Sequence, residues 1–346
     1  MELKSMATNN LRITEITNKN EWNKLLKQFD DANIYQTWGY AALARDEKFI
    51  SHVAIYEDKT LLGISQVRIK KAPIINWGIA YIYRGPLWQK SGQINDIDTF
   101  KKIISTLKHE FLDKKKLLLR LKVSVFSDLF QSNDLNYFLE FNSYLQSASQ
   151  KTLVLYLDKD LESIRKSFTS KWRNRLNQSE KNGVEVVSGY DQKLFDDFLG
   201  IYDHMIARKK FDEKVNPRKI NRMNQLLDPE FKLKIFMAYK DKQPTSALAI
   251  SVMGNTGVYL LGANNELGMQ YKSAYLLQWE VIKWLKLRGI LRYDLGGIDL
   301  EKNPGVFEFK SGITKNEVKD LGTFEFSNSK LLTKFVHLGD LIRLKF

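Results

Sequence analysis

The sequence predicts an α/β fold with mixed sheets, built from two copies of one unit, and three observations carry that expectation. The order hairpin, strand, helix, strand is written twice along the 346 residues. The two hairpin turns match, Tyr56-Glu57-Asp58-Lys59 in one half and Tyr239-Lys240-Asp241-Lys242 in the other, and the closing strands lie nearly the same distance apart. A chain of this length also outgrows a single hydrophobic core, so two domains are expected.

Residues 51–69 (SHVAIYEDKTLLGISQVRI) alternate on both sides of Glu57-Asp58-Lys59, the period of a hairpin, with Gly63 placed for a bulge. A short strand at 80–83 ends in Arg84-Gly85-Pro86. Ile103, Leu107 and Phe111 then recur four residues apart on one helical face, and 117–123 (LLLRLKV) reads as a strand. The second half repeats this order. Its hairpin is 233–251, its strand GVYLLG at 257–262, its helix carries Leu276, Leu277, Trp279, Val281, Ile282 and Leu285, and its last strand is ILRYDLGG at 290–297. Between the copies, 161–181 reads as one helix stopped by Asn182-Gly183. A strand at 184–187 follows, then a helical region at 192–227 that Pro217 starts afresh or kinks. The tail at 327–346 sets Leu331, Leu332, Phe335, Val336 and Leu338 at helical spacing.

Composition narrows the function. Lys and Arg number 54 against 40 Asp and Glu, a formal net charge of +14, which suits a polyanionic partner: nucleic acid, a nucleotide-linked substrate or an anionic membrane face. The absence of cysteine excludes disulfides, a thiol nucleophile and cysteine-ligated metal sites. With 20 Phe, 15 Tyr and 7 Trp the chain is too aromatic to be disordered. The start, MELKSMATNNLRITEI, lacks an apolar signal segment and no run approaches 18 apolar residues, so a soluble, cytoplasmic protein is expected. His52, His109, His204 and His337 are scattered without ligand-type partners at helical spacing, and neither a metal nor a cofactor is expected. Phosphate-binding glycine loops and a Gly-x-Ser-x-Gly elbow are missing as well. Transfer of an acyl group to an amine fits these exclusions, because the amine is itself the nucleophile and the protein positions the reactants and stabilises an oxyanion.

Three segments carry a family resemblance. SKWRNRLNQSEKNGVEV at 170–186 resembles the Lys-Trp-Arg-Asn helix and following strand of the FemABX transferases. YDLGGIDLEKNPGVFEFKSGI at 293–313 is similar to their Tyr-Asp-x-Gly-Gly-Ile…Gly-Val/Leu-x-x-Phe-Lys signature, and IYRGP at 82–86 to the Arg-Gly-Pro of their first domain. With the weaker Tyr35-Gln36-Thr37-Trp38 the resemblance spans most of the chain. It implies two tandem GNAT-like acyltransferase domains, 1–150 with the C-terminal tail 325–346 packed back on it, and 151–324, without the long helical arm of some members. It also implies transfer of an amino acid from aminoacyl-tRNA to the side-chain amine of a nucleotide- or lipid-linked muropeptide, the stem peptide of a peptidoglycan precursor.

The same resemblance points to residues. Lys310, after Phe309, becomes the catalytic or phosphate-binding candidate, where its residue type alone reads as a solvated lysine at a strand edge. Arg208 resembles an arginine that grips the diphosphate of the precursor, although Lys209-Lys210 replaces the usual Asp-Gly before Phe211; a charged helix face is the plain alternative. Trp38 matches an aromatic near the precursor groove, against a core tryptophan; Tyr259 matches a substrate-facing tyrosine whose usual second aromatic is Leu261 in this chain. Arg84 faces ligand or fixes its turn, and Asp294 either accepts a proton from the attacking amine or caps a strand end.

Arg165, Lys166, Lys171, Arg173 and Arg175 form the densest basic tract, without an acid between Ser163 and Ser179. Together with the cations of 208–222 it reads as a surface for a tRNA backbone rather than DNA, or as a solvated face. The tail's Lys330, Lys334, His337, Arg343 and Lys345, beside its apolar stripe, read as a contact with the inner membrane face or as a helix docked on the fold. Two other functions stay open: an acyltransferase using acyl-CoA or a carrier-bound donor, and a non-catalytic nucleic-acid-binding module. Against CoA, the stretch Glu266–Ala274, where a pyrophosphate loop would lie, holds a single glycine, Gly268.

Overall fold

The computed structural model describes residues 10–43, 49–72, 77–93, 96–123, 151–209 and 216–345. The chain divides into two compact units, Met1–Ser149 with Asp320–Phe346, and Gln150–Lys319. The residues leading to the boundary, 124–150, lie outside the described residues, as do residues 1–9 of the N-terminal segment read above and Lys210–Phe211.

Unit 1 is built on a six-stranded sheet. In chain order its elements are β1 (Leu11–Glu15), α1 (Lys19–Leu26), α2 (Trp38–Ala41), β2 (Ile50–Glu57), β3 (Thr60–Lys71), β4 (Gly78–Tyr83), α3 (Ile97–Leu107), a π-helical turn (Lys108–Lys114) and β5 (Leu118–Lys122). The sheet order is β1-β2-β3-β4-β5 and then a strand from the chain's end, β13 (Thr323–Phe326). Every neighbouring pair is antiparallel except β4 and β5, which run parallel on either side of α3. The period of two sorts the residues of β4: Ala80 and Ile82 enter the core with Phe100, Ile103 and Leu107 of α3, while Ile79, Tyr81 and Tyr83 face the other way. On that outer face the last helix, Lys330–Lys345, packs Leu332 and Val336 against Leu118, Trp77 and Ile79. Arg120, reaching both Glu325 and Asp340, holds it there. The expected tail thus opens as a strand before it turns helical.

Unit 2 has a seven-stranded sheet. It runs β6 (Lys151–Tyr156), α4 (Leu161–Ser167), α5 (Ser170–Lys181), β7 (Glu185–Gly189), α6 (Gln192–Lys209), α7 (Pro217–Leu226), β8 (Lys234–Lys240), β9 (Gln243–Met253), β10 (Thr256–Asn264), α8 (Glu266–Tyr271), α9 (Ser273–Leu287), β11 (Arg292–Gly297), α10 (Pro304–Ser311) and β12 (Glu317–Lys319). The order across the sheet is β12-β6-β11-β10-β9-β8-β7, with β10 and β11 as its parallel pair. Leu276, Leu277, Val281, Ile282 and Leu285 of α9 pack with Trp172 and Leu176 of α5, Tyr293 and Leu295 in one core.

The duplicated order is therefore present, with refinements. Each hairpin turns on two residues, Asp58-Lys59 and Asp241-Lys242; three of these four adopt positive φ. The single helix expected over 161–181 is two. Phe168 leaves helical geometry to bury its ring against Trp172 and Trp279, and Thr169 restarts the chain by accepting a hydrogen bond from the Trp172 amide. Pro217 starts α7 at its first turn, with Asn216 as cap. Four strands, 11–15, 151–156, 317–319 and 323–326, were not marked in the sequence; the last three find partners more than 100 residues away.

Candidate active site

In unit 2 the parallel ladder is short. Strands β10 and β11 pair at Thr256↔Arg292, Gly257↔Tyr293 and Val258↔Asp294. Immediately after, β10 shifts register against β9 between Tyr259 and Leu261, and β11 shifts against β6 between Asp294 and Gly297. Irregularities at the same level on both strands end the regular ladder between them.

Lys310 enters this region from the last turn of α10, so it is a buried helical residue and not a lysine at a strand edge; its side chain is 7% exposed. Its Nζ donates to the Gly297 carbonyl at 2.9 Å and the Gly296 carbonyl at 3.3 Å and lies 5.6 Å from the centre of the Tyr259 ring. Gly296 has φ +74°, and a Cβ there would stand 2.9 Å from the Tyr259 carbonyl and 3.6 Å from Lys310 Nζ, so only glycine admits this approach. Burial pulls the Lys310 pKa from the ordinary lysine value down to about 8, against the opposite pull of Asp294. Two carbonyls account for two of the ammonium's three N–H groups.

The neighbours are themselves anchored. Burial pushes Tyr259 up to about 12. Tyr293, buried, donates its hydroxyl to Gln278 Oε1 at 2.8 Å. Asp294 accepts from Thr152 Oγ1 and from the Gly296 amide at 2.8 Å, so it braces the bend of β11 instead of offering a base. Phe309 turns into the core, its ring 5.1 Å from Tyr275 and 6.2 Å from Trp172.

The other expected residues of unit 2 divide. Arg208, on α6, donates to the Asn264 carbonyl at 3.2 Å, at the far end of the strand that carries Tyr259. Three of the five cations of the basic tract pair with acids, one of them distant in sequence. Lys171 pairs with Glu308, Arg165 with Glu180 and Lys166 with Glu162. Arg173 donates to the Lys166 and Phe168 carbonyls, both at 2.6 Å, and so closes the end of α4. Arg175 instead lies over the Tyr275 ring at 5.8 Å. The start of α8, where a pyrophosphate loop would lie, already has the Gly268 amide satisfied by Asn265.

In unit 1, Trp38 stacks parallel on His52 at 4.1 Å, and both line a cavity of about 200 Å³. Burial lowers the His52 pKa to about 4, so the ring is neutral, and it hydrogen-bonds Gln66. Arg84 sits in an aromatic and cationic group on the outer face of β4. Its guanidinium is 5.9 Å from the Tyr35 ring, Tyr35 packs edge-on to Tyr40 and Tyr83, Arg68 lies over Tyr40, and Lys122 lies 6.0 Å from Tyr83. Tyr81, Tyr83, Arg68 and Lys122 were not singled out by sequence; the alternation in Ile79–Tyr83 was the available signal. Among the described residues no cluster of His, Cys, Asp or Glu suits a metal.

The fold is a mixed α/β one of two units, in each of which a parallel pair of strands follows a four-stranded antiparallel run. The model of the FemAB family matches residues 215–340 of this chain. It is 24% identical over 253 residues to the UDP-N-acetylmuramoylpentapeptide-lysine N(6)-alanyltransferase of Weissella viridescens, covering 70% of this chain and 73% of that protein. Its fold is similar to the crystal structure of FemX, with a TM-score of 0.77 at 16% identity over 94% of this chain and 99% of that one. A conserved protein of unknown function from Bacteroides thetaiotaomicron follows at TM-score 0.57 and 11% identity, over 91% and 99% of the two chains. No helix among the described residues is long and apolar enough to cross a membrane.

Proposed function

We propose that this protein transfers an amino acid from aminoacyl-tRNA to the side-chain amine of the stem peptide of a peptidoglycan precursor. The observation that carries the reading is Lys310, a buried cation where the parallel ladder of unit 2 ends, within the stretch that the FemAB family model matches. Support for the acceptor comes from the Weissella relative, whose name gives the lysine of UDP-N-acetylmuramoylpentapeptide as its substrate. The aminoacyl-tRNA donor is what the resemblance of 170–186 and 293–313 to the FemABX transferases implies.

In this mechanism the neutral amine attacks the ester carbonyl, and the Lys310 ammonium donates its remaining N–H to the oxyanion that forms. Collapse of the intermediate breaks the ester C–O bond, leaves the new amide, and moves the amine's proton to the departing ribose hydroxyl. Tyr259 shapes the pocket under Lys310, and Phe309 fixes the helix that carries it. Arg208 serves the anionic part of the substrate from the far end of β10, and Trp38 and Arg84 bind the acceptor on unit 1. Of the tract expected to meet tRNA, Arg175 is the residue best suited to a phosphate; Lys171 and Arg173 have internal partners.

The test offers labelled amino acid on charged tRNA and, separately, acyl-CoA, to a nucleotide-linked pentapeptide precursor. Transfer from tRNA alone is expected. Transfer from acyl-CoA alone would replace the donor, and binding of charged tRNA without any transfer would reduce the protein to a nucleic-acid-binding module.

A further inference from the structure

The sequence marks Tyr35-Gln36-Thr37-Trp38 for its tryptophan, yet the residue there with the most specific contacts is Gln36, which is fully buried. Regular pairing of β3 with β4 ends at Val67↔Ile82. At the next position out the Gln36 carboxamide stands between the strands. Its Oε1 accepts from the Gln66 amide at 2.7 Å, and its Nε2 donates to the Tyr83 carbonyl at 2.8 Å. The Gln36 carbonyl accepts from Trp22 Nε1 at 2.8 Å, so the insertion is fixed from the core. A Cβ on Gly85 would stand 2.8 Å from Gln36 Nε2, which makes glycine the residue that fits after Arg84. Asn33 caps the short 3-10 turn Ile34–Gln36 with its Oδ1, and its Nδ2 donates to the Arg84 carbonyl at 2.8 Å.

The backbone on both sides of Arg84 is therefore held by one turn, Tyr83 by Gln36 and Arg84 by Asn33, while the Arg84 amide donates to the Lys122 carbonyl at 2.7 Å. Arg84 itself has φ 59°, a left-handed conformation that a residue with a Cβ keeps only when its surroundings impose it. The consequence is one of direction. Along β4 Ala80 and Ile82 face the core while Tyr81 and Tyr83 face out, so continued alternation would send residue 84 inward. The left-handed turn breaks that alternation and sets the guanidinium 5.9 Å from the Tyr35 ring, which the same turn carries.

We propose that Asn33 and Gln36 are positioning residues for acceptor binding, locking residue 84 in its left-handed conformation so that the Arg84 guanidinium is presented on the outer face of β4. Gln36 is sealed from solvent and acts through Arg84. The inference rests on the reading above that Arg84 binds the acceptor.

The experiment measures the affinity of the full chain for a nucleotide-linked pentapeptide precursor by calorimetry, with the urea denaturation midpoint beside it. Arg84→Ala weakens binding about tenfold, as for a lost hydrogen bond to a charged group. Gln36→Leu weakens it about tenfold and Asn33→Ala about threefold, the scale of coupling between residues in contact. In the Arg84→Ala background neither changes the affinity further, although each still lowers the urea midpoint, because the side chain they aim is gone while their hydrogen bonds are still lost. In the transfer assay the same losses fall on KM for the acceptor and not on kcat. Arg84→Gly has a higher urea midpoint than Arg84→Ala, since glycine takes the left-handed conformation without steric cost. Unchanged affinity in folded Gln36→Leu and Asn33→Ala, losses that add to that of Arg84→Ala, or the reverse order of the two Arg84 midpoints would overturn the assignment. If Gln36→Leu does not fold, Asn33→Ala in the two backgrounds decides. A wild-type protein that binds no precursor would remove the proposed acceptor and this role together, whereas precursor binding with additive losses removes the role alone.

Discussion

The two units share an order of hairpin, strand, helix and strand, and within it they differ at the parallel pair. In unit 1, β4 and β5 stay paired through five positions, Ile79↔Leu118 to Tyr83↔Lys122, and the Arg84 amide continues the ladder to the Lys122 carbonyl at 2.7 Å. In unit 2 the equivalent ladder ends after three positions, where both strands shift register. A closed ladder satisfies its own backbone groups and leaves only its faces for binding, which in unit 1 carry tyrosines and cations. Where the ladder ends, backbone carbonyls are left to other donors, and in unit 2 Lys310 of α10 takes those of Gly296 and Gly297. The two copies are told apart here by register, not by the order of elements.

The largest expected effect breaks the comparison at Lys310. Lys310→Ala should lower transfer by about 10²–10³-fold, the cost of losing one oxyanion donor, with the circular-dichroism spectrum unchanged. Full activity in a folded variant would remove Lys310 from the mechanism.

Next is the glycine beside Lys310. Gly296→Val forces a side chain into a φ +74° position against the Tyr259 carbonyl. It should destabilise the protein by about 1–3 kcal/mol in urea denaturation, and lower kcat because Lys310 loses its seat. Arg84→Ala in unit 1 makes the contrasting case, with an increase of about tenfold in KM for the acceptor and little change in kcat, as for a lost hydrogen bond to a charged group. A kcat effect at Arg84 matching that at Lys310 would contradict the division of labour.

Acidity sharpens the same contrast. The Lys310 pKa is lowered in the folded state, from 10.5 to about 8, so between these values the unfolded chain binds more protons and stability rises with pH. The full penalty, about 3 kcal/mol, is present below pH 8. Lys310→Met should abolish that part of the rise between pH 8 and 10.5, measured by denaturation against wild type. Transfer needs the ammonium, so wild-type activity should fall as pH passes about 8 in the alkaline direction.

The smallest effects separate the two arginines of α5. Arg175→Ala should weaken tRNA binding and reduce the salt slope of its logarithm by about one. Arg173→Ala should leave that slope alone and cost about 1 kcal/mol of stability, because its guanidinium closes the end of α4.

Local pattern was enough for much of the fold. Alternation in 51–69 and 233–251 marked both hairpins, and the four-residue recurrence of Ile103, Leu107 and Phe111 marked a helix, because these periods are properties of the backbone alone. Lys310 was legible only through the Gly-Val-x-x-Phe-Lys pattern, since nothing local distinguishes a buried lysine from an exposed one. The pairing of the basic tract was hidden for a related reason. Its counter-charges come in part from other segments, as when Glu308 reaches Lys171 across 137 residues, and a count along the chain cannot see them.

The sequence by itself determined the duplicated order of elements, the net charge of +14 and the exclusion of cysteine chemistry, for these depend on residue types and spacing. Only the tertiary structure decided that the parallel ladder ends earlier in one unit than in the other, that Lys310 is desolvated beside Tyr259, and that Tyr293 is anchored on Gln278. Register and burial arise from contacts between residues far apart in the chain, and those exist only once the sheets have formed.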